Sequence, residues 1–175
     1  MKIMKGVLEM IIIVEGIDRV GKTTLCHKLS DATGYPIYKY HGDVSYNKMD
    51  NDNETDKMLQ LINVLSIARM QGKEINLIFD RFSWSDFAYG VTNRNYNVEH
   101  AVANFIKIDK ALKDIGANVI LVRPTDIERS SREHGSDLST KNCLFNQCYI
   151  ISSCIKFECD YDTMDSVVDL FDMNR

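Results

Sequence analysis

The run Ile11-Ile-Ile-Val14 is apolar at every position, and one glutamate later it enters Gly16-Ile-Asp-Arg-Val-Gly21-Lys22-Thr23. An uninterrupted β-branched run of this length suits a central parallel strand covered on both faces. The Gly-x4-Gly-Lys-Thr spacing that follows is a Walker A phosphate loop, and Thr23 to Ser30 continues as a helix. Glycines let the backbone approach an anion closely, and the helix N-terminus presents its free N–H groups to that anion. Strand, loop and helix in this order point to a three-layer α/β fold of the P-loop NTPase type. Its sheet is expected to be mostly parallel and five-stranded, with helices on both faces.

The chemistry of such a loop assigns expectations residue by residue. Gly16, Ile17, Asp18, Arg19, Val20, Gly21, Lys22, Thr23 and Thr24 are the candidate contacts to ATP. Lys22 would bridge the β and γ phosphates, and the Thr23 hydroxyl would ligate Mg²⁺, the expected cofactor. Asp80 ends a second buried strand, read over Ile75 to Phe79, and a carboxylate at that edge can hold the metal through water.

The remaining pattern supplies the other elements. Ile37 to His41 reads as a short strand after Gly34-Tyr35-Pro36, and Gly42 to Thr55, poor in apolar residues, reads as a mobile surface loop. Met58, Leu61, Ile62, Leu65 and Ala68 keep helical spacing up to Gln71-Gly72. A helix from Val98 to Leu112 turns Ala101, Val102, Phe105, Ile108 and Leu112 inward, and Val119 to Val122 is the fourth strand. Asn142 to Ser153 reads as a helix and Ile155 to Cys159 as the fifth strand. Thr163 would cap a last helix carrying Met164, Val167, Val168 and Phe171 on one face. The 175 residues read as one domain, residues 1–9 as an N-terminal extension, with Met10 an alternative start.

Composition removes several classes. A net charge of −4 argues against a duplex nucleic-acid binder, which needs a basic face. The longest apolar run is far too short for a membrane span, so a cytoplasmic protein is expected. Five cysteines without a CxxC pair read as reduced thiols rather than as a zinc site. Asn47-Lys-Met-Asp50 spells a guanine-recognition motif, but it follows the phosphate loop too closely and lacks the accompanying switch motif, so a GTPase is not expected.

Two segments carry a family resemblance. Val14-Glu-Gly-Ile-Asp-Arg-Val-Gly-Lys-Thr-Thr24 resembles the phosphate loop of thymidylate kinases with Asp-Arg inside the loop. Phe79-Asp-Arg-Phe-Ser-Trp-Ser-Asp-Phe-Ala-Tyr89 is similar to the family's DRYxxSxxAY segment, with Phe82 in place of the tyrosine. Short chains with a DRF segment also resemble thymidylate-kinase-like proteins that phages encode. The resemblance implies that Arg19 aids transfer at the γ phosphate and that Asp18 reaches the acceptor sugar. It further implies that Arg81 grips the acceptor phosphate and that Ser85 and Tyr89 touch the acceptor. Residues 126–140 resemble the family's lid, where Arg129 and Arg132 would close over ATP, although a solvated helix is an equal reading of that charge run. Trp84 and Phe87 read as core.

The chain departs from the family where the base is held. The helix before the Asp80-Arg81 segment offers Arg69 alone and no aromatic residue, and Gly90 follows Tyr89 where a polar residue is common. The expected activity is ATP-dependent phosphoryl transfer to a deoxynucleoside monophosphate resembling dTMP. A deoxynucleoside kinase, or an ATP-binding protein without transfer, is the alternative. A nucleotide or nucleoside acceptor and ATP are therefore the expected partners, and a homodimer is left open.

Overall fold

β1 (Ile11–Glu15) is buried at all five positions, as a strand flanked on both edges and covered on both faces must be. The computed structural model describes residues 10–40, 51–127 and 138–172. β1 pairs in parallel with β3 (Leu77–Asp80) on one side and with β4 (Ala117–Val122) on the other. β2 (Ile37–Lys39) and β5 (Ile155–Cys159) complete an all-parallel sheet of order β2-β3-β1-β4-β5. Every strand ends on the same edge. The chain leaves β1 toward β2 on one side and later crosses to β4 on the other, and ligands of open α/β sheets bind at such a switch.

Six helices are described: α1 (Lys22–Thr33), α2 (Asn51–Met70), α3 (Ser83–Asn93), α4 (Val98–Asp114), α5 (Ser139–Ile151) and α6 (Met164–Phe171). α1 packs with α6 and against β1 and β3, whereas α4 lies against β4 with α2 and α3 beside it, and α5 packs on α3. The inward faces of α4 and α6 are those the spacing predicts: Ala101, Phe105, Ile108 and Leu112, and Met164, Val167 and Phe171, are buried. Trp84 and Phe87 are core residues, as expected. Among the described residues no helix is long and apolar enough to cross a membrane, and all five cysteines are free thiols.

Several boundaries differ from the sequence reading for local reasons. Residues 51–55, read as loop, form the opening of α2. Their polar side chains are used there: Asp52 accepts from Asn104 and His100, and buried Glu54 accepts from Tyr40 and Lys57. β3 begins at Leu77 rather than Ile75, because Asn76 is spent on the Met10 amide just before the ladder opens. Thr163 makes no side-chain cap on α6. Asp160 builds that turn instead, accepting from the Thr163 amide and hydroxyl. His41, Asn47 to Asp50, residues 1–9, Arg129 and Arg132 lie outside the described residues.

Gly16 shows how tightly β1 runs into the loop. Its φ is 145°, a region open to glycine, and a Cβ built there would lie 2.4 Å from the Val122 carbonyl oxygen at the end of β4. Gly16→Ala should therefore destabilise the fold by about 2 kcal/mol or more, seen as a fall in Tm of about 4–8 °C in thermal unfolding. An unchanged Tm would mean that β4 and the loop are not held this closely.

Candidate active site

The loop after β1 closes on itself before it reaches α1. Lys22 is buried, and its ammonium donates to the Ile17 carbonyl across the turn. Burial, helped by the charge of Arg81, lowers the Lys22 ammonium to about 8, against the pull of Asp18, Glu15 and Asp80. A cation held in this way is primed for an anion. The Thr23 hydroxyl, on the first turn of α1, donates to Asp80 at 3.2 Å, which joins the phosphate loop to the end of β3. Lys39 at the end of β2 stands 3.9 Å from the same Asp80 oxygen.

Two arginines flank this pair, and both adopt backbone conformations that side chains rarely take. Arg19 has φ 64° and Arg81 has φ 73°, although the Arg81 amide still donates to the Val14 carbonyl at 3.0 Å as the ladder ends. Non-glycine residues in this region are strained by roughly 1 kcal/mol or more each, and such strain gathers at functional sites. The turn at Arg81 brings its guanidinium to Asp18, with which it forms an ion pair. Burial works to raise the Asp18 carboxyl, but the hydrogen bond and charge of Arg81 overcome it and hold it at about 2. Arg19 is exposed at the tip of the loop.

Glu15 fixes the next segment. Its carboxylate is fully buried, one oxygen accepting from the amides of Phe82 at 2.9 Å and Trp84 at 3.0 Å, the other from the Ser85 hydroxyl at 2.6 Å. Burial raises its pKa, and these hydrogen bonds at the N-terminus of α3 work against that rise. Ser85, expected at the acceptor, is thereby committed to Glu15. α3 then carries Tyr89 beside Asp18 and Arg81: the Arg81 guanidinium lies 5.7 Å from the ring centre, and the buried Tyr89 hydroxyl interacts with both residues. Gly90 has a packing role that its position in the motif does not reveal. A Cβ there would come within 2.2 Å of the Tyr96 ring.

The expected residues thus divide. Gly16 to Thr24, Asp80, Arg81 and Tyr89 meet at the carboxyl edge of β1 and β3, whereas Arg69 lies at the opposite end of the sheet, donating to the Ile115 carbonyl that precedes β4. Arg123, just after β4, is bound to Glu158 and Asn146. Sequence reasoning missed Lys141 on α5, whose ammonium lies 5.2 Å from the Tyr89 ring centre. Its burial shows only in three dimensions.

A parallel sheet of this order with a phosphate loop after its central strand defines a P-loop fold. No protein-family model matches the chain, and no curated protein matches it. Solved structures do. The YorR protein of Bacillus subtilis, in complex with phosphorylated GDP, is 23% identical over 91% of each chain with a TM-score of 0.67. Thymidylate kinase of Ehrlichia chaffeensis is 16% identical over 92% of this chain and 97% of its own, with a TM-score of 0.57. Deoxyadenosine kinase of M. mycoides with bound dATP is 18% identical over 92% and 98%, with a TM-score of 0.52. The chain has the fold of the thymidylate kinase-like P-loop kinases, the fold its two motifs imply.

The Asp18 carboxyl gives a pH test of the site's assembly. Its folded value of about 2 lies below the ordinary 3.8, so its contribution is present above about pH 4 and is lost as pH falls toward 2. Partial exposure limits that contribution to about 1–2 kcal/mol. Denaturant unfolding of the wild type and Asp18→Asn should show a stability gap of this size at pH 7 that narrows below about pH 4. A gap independent of pH would separate Asp18 from Arg81.

Proposed function

We propose that this chain transfers the terminal phosphoryl group of ATP to a deoxynucleoside monophosphate, a dTMP-like acceptor being the first candidate. The observation that carries this reading is Arg81. It stands one residue beyond Asp80 on a strained turn, facing the phosphate loop from the neighbouring strand. Arginine suits a phosphate because its planar fork donates parallel hydrogen bonds. An acceptor phosphate arriving there would compete with Asp18, releasing that carboxylate toward the acceptor sugar.

The donor side follows from the loop. Lys22 and the loop amides take the β and γ phosphates, and Arg19 at the loop tip meets the γ phosphate, where negative charge redistributes in the transition state. The Thr23 hydroxyl and the Asp80 carboxylate are adjacent hard oxygen donors, the set that suits Mg²⁺ held partly through water. When bound, Mg²⁺ would neutralise charge on the phosphates. Arg129 and Arg132 receive their lid role from the resemblance alone.

A nucleoside kinase would instead need a carboxylate free to take the proton of a sugar hydroxyl. Glu15 is engaged as the cap of α3, Asp80 is bonded by Thr23, and Asp18 at about 2 is a weak base. This favours the monophosphate reading, although the deoxyadenosine kinase shares the fold.

A coupled ATP-consumption assay across nucleosides and their monophosphates tests the proposal directly. The wild type should turn over with at least one deoxynucleoside monophosphate. Arg81→Ala should then raise the KM for that acceptor about ten- to a hundredfold while leaving the KM for ATP nearly unchanged, because a charged hydrogen bond to phosphate contributes about 1.5–3 kcal/mol. Turnover with free nucleosides and with no monophosphate would replace this reading with the nucleoside kinase.

A further inference from the structure

Lys141 is out of place by every local criterion. It is the third residue of α5 (Ser139–Ile151), on the inward face that also carries the buried Phe145 and Cys148. Only 7% of it is exposed, and among the described residues no carboxylate pairs with its ammonium. Burial of a charge is unfavourable, and the first turn of a helix, where N–H groups point outward, repels a cation further. The Arg81 guanidinium, paired with Asp18, contacts the same aromatic ring. The offsetting contact is the Tyr89 face, and a cation–π contact contributes only about 0.5–2 kcal/mol.

A methionine or leucine would fill the same space against Tyr89 and Phe145 without these penalties. The position therefore makes sense when an anion is present. Tyr89 supplies a second observation: its ring carries both cations, and its hydroxyl is sealed from solvent where Asp18 and Arg81 meet. One guanidinium and one ammonium on a single ring, with a hydroxyl beside them, match a phosphate, which offers several charged acceptor oxygens.

We propose that Lys141 is a second cation of the acceptor site, binding the acceptor's phosphate together with Arg81 and Tyr89 and thereby selecting monophosphates over nucleosides. This rests on the acceptor side of the site as read above. A free nucleoside carries no anion to compensate Lys141, so it would leave the charge buried and unpaired. A monophosphate brings the anion that Lys141 otherwise lacks.

The test measures initial rates for Lys141→Met, Lys141→Gln and Lys141→Arg with dAMP, dCMP, dGMP and dTMP in turn, together with thermal unfolding of each variant. Met and Gln should raise the KM of the accepted monophosphate about tenfold or more while the KM for ATP stays within about twofold, and Arg should recover most of the loss. Lys141→Met should also melt at or above the wild-type temperature, because the unpaired buried charge is gone. An acceptor KM unchanged in both Met and Gln, in a wild type that does use monophosphates, overturns this inference and leaves the proposed function standing. So does a rise in the KM for ATP instead. A wild type that uses no monophosphate overturns the proposed function and takes the role of Lys141 with it.

Discussion

The arrangement of the site depends on one buried carboxylate. Glu15 is the last residue of the central strand, and it closes the N-terminus of a helix that begins almost seventy residues later. Without it, the amides of Phe82 and Trp84 would face the interior with no acceptor, a loss of about 1–3 kcal/mol for each. With it, the end of β3 and the start of α3 are fixed relative to the phosphate loop. The carboxylate therefore sets where Asp80, Arg81 and Tyr89 stand without itself facing a ligand.

Charge is distributed against the average of the molecule. The chain carries a net charge of −4, yet Lys22, Lys39, Arg81 and Lys141 gather around the end of β1 and β3. Asp18 pairs with Arg81, and Asp80 lies beside Lys39 and accepts from Thr23. A local gathering of cations on an acidic chain is the arrangement that the proposed phosphate-bearing substrates would require.

What was legible in the sequence was what is local. The strand, glycine spacing and helix of the phosphate loop are encoded in consecutive residues, and the buried faces of α4 and α6 follow from helical period alone. The opening of α2 was not legible, because Asn51 to Thr55 reads as polar loop until Asn104 and His100 of α4 supply partners for Asp52. The capping role of Glu15 was not legible either, since the three donors that occupy it come from a distant segment. Lys141 sits in Ser139-Thr-Lys-Asn, a stretch whose polarity suggests a surface, and only the docking of α5 on α3 buries it.

The strand order also has a consequence for how the chain is made. β1 and the phosphate loop are among the first described residues to leave the ribosome, yet the strands that flank β1 begin at Leu77 and Ala117. A central parallel strand has no partner until those segments emerge, so the apolar stretch Ile11 to Val14 must wait unpaired at least until Leu77 to Asp80 has been made. The phosphate loop therefore takes its final shape only after segments far along the chain have paired with β1, so its conformation is a consequence of sheet assembly rather than a guide to it.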